Sequence, residues 1–130
     1  MAPITNPDVL FFFEQHPDAL PLYMLFEEKV LALIDGVHIR VQKTQITFSN
    51  RHVFACVSFL PVRKAKDRPQ TYIVVTFGLG CRLDSPRIDV ATEPYPHRWT
   101  HHVLIASPGE IDDELLGWVR EAAAFSAGKR

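Results

Sequence analysis

The sequence predicts an α+β two-layer sandwich, an antiparallel sheet with N- and C-terminal helices packed on one face. Three observations carry this. Apolar residues recur at helical spacing in residues 18–35 and again in 108–126. Between them the period switches to two, over five or six short runs rich in β-branched residues. Short connections join these runs, which favours antiparallel neighbours. The 130 residues are about one domain's worth, and read as a single domain over 1–130 with its core in 7–126.

Asn6-Pro7-Asp8 opens a short helix with a capping side chain, a proline at the first helical position and an acid at the positive end. It stops near His16-Pro17, because the residue before proline is pushed out of the helical region. Phe11, Phe12 and Phe13 cannot share one face, so one or two enter the core and the third is exposed or meets a partner. A longer helix follows over 18–35, with Asp18 as N-cap and Pro21 in its first turn. Leu22, Phe26, Val30 and Leu33 form its apolar stripe, and Gly36 is the stop.

Val37, Ile39 and Val41 then alternate with polar residues, and Ile46 and Phe48 repeat the pattern up to a turn at 49–52. Residues 53–59 are nearly all apolar and read as a central strand. The charged segment PVRKAKDRP, 61–69, connects it to a β-branched strand at 71–77, which ends at Gly78-Leu79-Gly80. Ser85-Pro86 and Pro94-Tyr95-Pro96 mark turns around a short strand at 88–93, and 99–105 is the last strand. Ser107-Pro108-Gly109-Glu110 is a capping box that starts the last helix. That helix presents Ile111, Leu115, Trp118, Val119, Ala122 and Phe125 at spacings of three and four.

Composition excludes several classes of function. A net charge of −1 gives no global pull toward nucleic acid or membrane. No stretch approaches the roughly 18 apolar residues of a spanning helix, and no secretory signal is visible, so a cytoplasmic protein is expected. Cys56 and Cys81 lack CxxC spacing and read as reduced, mostly buried side chains; only geometry would decide a disulfide. Charge is nonetheless unevenly spread. Residues 1–36 carry −5, the sheet region 37–106 carries +6, and the tail carries −2. With both helices on one face, the opposite face is expected to be basic and able to hold an anion.

Motifs for chemistry are sparse. His97 and His101 would be about 13 Å apart on a strand, too far for one zinc, so no metal site is expected. Ser85, Ser107, Cys56 and Cys81 lack a nucleophile's surroundings, and Ser107 is explained as a cap. Gly78-Leu79-Gly80 lacks the third glycine of a phosphate loop, and no cofactor is expected.

The segments KTQITFSNRHVFACVSF, RLDSPRI and EPYPHRWTHHVLIASPGEIDDELLGWVREA resemble the bacterial family catalogued as domain of unknown function 5655, over about residues 11–125. The resemblance implies a residue set matched here by Lys43, Phe54, Arg82, Arg87, His101, Ser107, Asp112 and Trp118. Ala123-Ala124 stands where the family often has Ala-Tyr. Relatives are fused to other domains, some nuclease-like, and some bear a predicted transport label, which nothing in this sequence supports.

Charge and resemblance together select a non-enzymatic binding or accessory module. Its expected ligand is a small anion or acidic partner on the basic sheet face, held by Lys43, Arg82, Arg87, Tyr95, Arg98 and His101. Two alternatives stand beside it. A nucleic-acid-binding accessory domain would use Arg63, Lys64, Lys66 and Arg68 with stacking aromatics such as Phe48, Phe54, Tyr72, Tyr95 and Trp99. A His-dependent enzyme would pair His101 with Lys43 or an arginine. No catalytic motif favours the enzyme, and no feature sets an oligomeric state.

Overall fold

The computed structural model describes residues 7–128. Helix α1 (Pro7–Phe12) and a 3-10 turn (Pro17–Ala19) lead into α2 (Leu20–Leu33). Six strands follow: β1 (His38–Val41), β2 (Gln45–Ser49), β3 (Val53–Ser58), β4 (Ile73–Leu79), β5 (Val90–Tyr95) and β6 (Arg98–Ile105). Helix α3 (Asp113–Gly128) closes the order. The strands form one sheet in the order β1-β2-β3-β4-β6-β5, with every neighbouring pair antiparallel.

Period two sorts the strands into two faces. Ile46 and Phe48, Ala55 and Val57, Ile73, Val75 and Phe77, and Val103 and Ile105 share one face and are buried. Helix α2 covers it with Leu22, Tyr23, Phe26 and Val30, and α3 with Leu115, Leu116, Val119 and Ala122. Phe26 meets Phe48 edge-on at 5.5 Å, and Trp118 stacks on Phe77 at 5.9 Å, so both helices lie on the same face as expected. Burial of each large side chain here is worth about 1.5–3 kcal/mol. The Lys29 ammonium donates to the Ile111 carbonyl at 3.0 Å, linking α2 to the start of α3. At the other end of α3, Asn50 in the β2–β3 turn donates to the Ala123 carbonyl at 2.8 Å.

Long connections drape over both faces. The 80–89 segment runs back along the helix side, where Leu83 and Ile88 pack against the core. The 59–72 connection takes the other side. Its Arg63 pairs with Asp89 at 2.7 Å, just ahead of β5, so it crosses β4 and β6. That crossing explains why Val74 and Leu104 are buried although their register points them away from the helices.

Several local expectations need correction. The Asn6 cap lies outside the described residues. Asp18 does not cap α2; its carboxylate accepts from the Thr71 hydroxyl, tying the 3-10 turn to the entry of β4. Leu33 is 41% exposed because α2 rolls so that Tyr23 enters the core instead. Strand β5 runs through Pro94 to Tyr95, which is possible because it is an edge strand. The turn is Pro96-His97 alone, with His97 in the left-handed region at φ 61°. Helix α3 begins five residues later than the capping box suggests: Pro108–Glu110 is only a 3-10 turn, and Asp112 accepts the Leu115 N–H at 3.0 Å as the working cap. The three phenylalanines divide as expected, with Phe13 buried, Phe12 half-buried and Phe11 76% exposed.

Candidate functional site

The six residues selected from the sequence do not converge. Lys43 lies in the β1–β2 turn, at one end of the sheet. Tyr95 and Arg98 flank the β5–β6 turn at the other end, roughly 20 Å away along the strands. There Arg82 lies over Trp99 at 6.0 Å, Arg98 lies over Phe125 at 5.6 Å, and Tyr95 is exposed.

Arg87 and His101 belong to the helix side, not the open face. The alternation that puts Val103 and Ile105 into the core puts His101 there too, with no exposure. Its ring stacks on Phe77 at 5.2 Å and 13°, and its Nε2 accepts the Leu83 N–H at 2.9 Å. Phe77 in turn stacks on Trp118, and the Arg87 guanidinium covers Trp118 at 5.7 Å. Arg87 Nη1 bonds both Asp112 oxygens at 2.8 and 3.0 Å and Glu114 at 3.0 Å; Nη2 donates to the Glu110 carbonyl at 2.7 Å. Four of the residues that carry the family resemblance thus form one structural chain with Phe77, His101–Phe77–Trp118–Arg87–Asp112. It pins the 80–89 segment and the start of α3 to the sheet.

The open face holds a different site. In register, Cys56, Thr76 and His102 lie side by side on β3, β4 and β6. They form the floor of a pocket of about 510 Å³, with Ser58 and Gln45. Phe12, Gln15 and His16 wall it from the end of α1, Lys43 and Thr44 from the β1–β2 turn, and Phe59 and Leu60 from the start of the 59–72 connection. Phe59 is fixed by a stack on Phe12 at 5.7 Å and by His16 at 4.2 Å. This volume suits a small molecule, and the lining joins apolar walls to a few polar groups. A second groove, about 640 Å³, lies beyond Phe12 and shares Gln15 and Lys43.

The floor is kept uncharged. Burial pushes the Cys56 thiol pKa up, with the neighbouring Thr76 hydroxyl pulling partly the other way. Burial also lowers the His102 pKa below the ordinary 6.5. His102 Nδ1 is 2.8 Å from the Thr76 hydroxyl. Cys56 and His102 are two strand spacings apart, about 9–10 Å, so they cannot bond directly or share a metal. Among the described residues no group of three His, Cys, Asp or Glu side chains could hold a metal ion.

Of the predicted residues, only Lys43 lines this pocket; sequence reasoning missed His102, Thr76, Cys56 and Phe12. The alternation was legible, since the odd positions Trp99, Val103 and Ile105 hold three of the strand's four apolar residues and direct His101 inward and His102 outward. The stacking platform expected for nucleic acid is also reduced, because Phe48 and Phe54 are buried and Arg63 is spent on Asp89. Cys56 and Cys81 are both free, and Cys81 is exposed rather than buried.

A six-stranded antiparallel sheet with terminal helices on one face defines an α+β protein. The chain belongs to the family described as Domain of unknown function (DUF5655), whose model matches residues 11–126. A search of curated proteins found no match, and neither did a search of solved structures. Among the described residues no helix is long and apolar enough to cross a membrane.

Proposed function

We propose that this protein is a non-enzymatic binding module that takes a small anionic ligand into the open-face pocket. The observation that carries this reading is one cavity of about 510 Å³ joining the Phe12–Phe59 wall to the Cys56–Thr76–His102 floor, with the Lys43 ammonium at its rim. The wall accepts an apolar body, the floor offers neutral hydrogen-bonding groups, and Lys43 attracts the negative charge. A binding role is favoured over catalysis because the thiol and imidazole are separated and both held uncharged. The free cysteines fit a reducing, cytoplasmic setting.

A thermal-shift panel of benzoate, phenylacetate, isovalerate, inorganic phosphate and short oligonucleotides tests this. Binding to the folded state alone stabilises it by about 2.7 kcal/mol at a hundredfold excess over Kd. At least one small anion is expected to raise Tm, and Lys43→Ala to weaken the effect. Silence from every small anion, or a shift that Lys43→Ala leaves intact, overturns the reading. A shift from oligonucleotides alone, vanishing steeply with salt, supports the nucleic-acid alternative instead.

A further inference from the structure

Within the pocket, His102 is a floor residue whose ring has two hydrogen-bonding ends facing different ways. Nδ1 is committed to Thr76 at 2.8 Å, which leaves Nε2 as the ring's other hydrogen-bonding end in a residue that lines the pocket. Thr76 can serve either protonation state of the ring. Its hydroxyl donates to a neutral Nδ1, or turns and accepts from Nδ1–H when the ring is charged. The ring can therefore gain a proton at the floor without stranding a polar group. We propose that His102 Nε2 holds the acid group of the ligand on the pocket floor, and that one proton enters with each ligand, which makes the ligand a small monocarboxylic acid with an apolar body. This rests on the pocket reading above.

The surroundings supply the reason. Lys43 and His16 stand on the walls, and the floor has no permanent cation. On the β5 side Asp89, whose backbone N–H donates to the His102 carbonyl at 2.9 Å, is paired with Arg63. Cys56 is two strands away, and His101 lies on the opposite face of the sheet. Burial keeps the His102 ring neutral in the empty pocket. A carboxylate reaching the floor would face aromatic walls, with Lys43 at the rim and no charge beside it on the floor unless the imidazole ionises. One imidazolium balances one carboxylate. A phosphate dianion would bring a second charge between Phe12 and Phe59 with only the rim Lys43 to meet it, so monocarboxylates should be preferred.

Isothermal titration calorimetry of the full chain with benzoate, phenylacetate and isovalerate tests this at pH 6, 7 and 8, in buffers of different ionisation enthalpy. The empty ring is neutral at pH 7–8 and charged in the complex. Uptake of close to one proton is expected there, with Kd rising up to about tenfold per pH unit. Lys43→Ala should weaken binding and keep the slope; His102→Gln should flatten it. In wild-type protein, NMR titration of the His102 imidazole should show its pKa rising when the ligand is bound, which reads the same event without a variant. Binding that is flat with pH, without proton uptake and with an unmoved His102 titration, overturns the proposal and leaves the pocket reading standing. No binding by any of the three at any pH overturns both.

Discussion

Arg87→Ala separates a structural arginine from a ligand-binding one. The guanidinium is 22% exposed, and its two carboxylate partners, Asp112 and Glu114, are 45% and 55% exposed. Pairs that wet contribute at most about 1 kcal/mol each, and less after screening. The bond from Nη2 to the Glu110 carbonyl is better protected and charge-assisted, worth about 1.5 kcal/mol. Stacking on Trp118 adds about 0.5–1 kcal/mol. Together the loss should be about 2–3 kcal/mol, which lowers Tm by roughly 6–12 °C for a chain of this size. Arg87→Lys keeps the charge and loses the fork, so about half the loss should remain. Urea melts followed by tryptophan fluorescence measure this, since Trp118 reports directly on the stacked chain. If Arg87→Ala melts within about 0.5 kcal/mol of wild type yet loses the small-anion thermal shift, the structural argument fails and Arg87 belongs to the binding site.

Two further outcomes follow from the same geometry. Asp112→Ala removes both the cap of α3 and a partner of Arg87, and should cost about 1–2 kcal/mol; Ser107→Ala, before a 3-10 turn, should cost under about 0.5 kcal/mol, and chemical denaturation of the two variants gives the order. Burial lowers the pKa of both His101 and His102, so the unfolded chain takes up protons first. Stability should be flat above about pH 7 and fall as pH drops through 6.5, by up to about 1.4 kcal/mol per pH unit for each histidine, until the folded-state pKa is reached. His102→Gln should roughly halve that slope in melts between pH 5 and 6.5. Burial works to raise the Asp112 pKa, but its bonds with Arg87 and the Leu115 N–H outweigh it and hold the carboxyl low. Its contribution is present above about pH 4 and lost only below that.

Much of the architecture is legible in the chain itself. Period two in Ile46–Phe48 and the β-branched run around Val74 and Val75 are local properties, and they name strands wherever they end up. Pro7 opens α1, and Pro17 and Pro108 open the 3-10 turns ahead of α2 and α3, because proline restricts its own backbone. The six-residue site was less legible. Arg82, Arg87 and Arg98 look alike as charges in a sequence, yet each lies over a different aromatic ring and only Arg87 also clamps the start of α3. Position along the strand decided Lys43 against Arg98, and a one-residue alternation decided His102 against His101.

By itself, then, the sequence determined the element types, their order, the one-sided helices and the family, because backbone preference and hydrophobic period act over a few residues. Only the tertiary structure decided that β6 enters between β4 and β5, and that the row Cys56–Thr76–His102 exists at all. Those three residues are 20 and 26 positions apart, and cross-strand register brings them together. Register is set by the fit of the whole buried face against α2 and α3, a property no single segment carries.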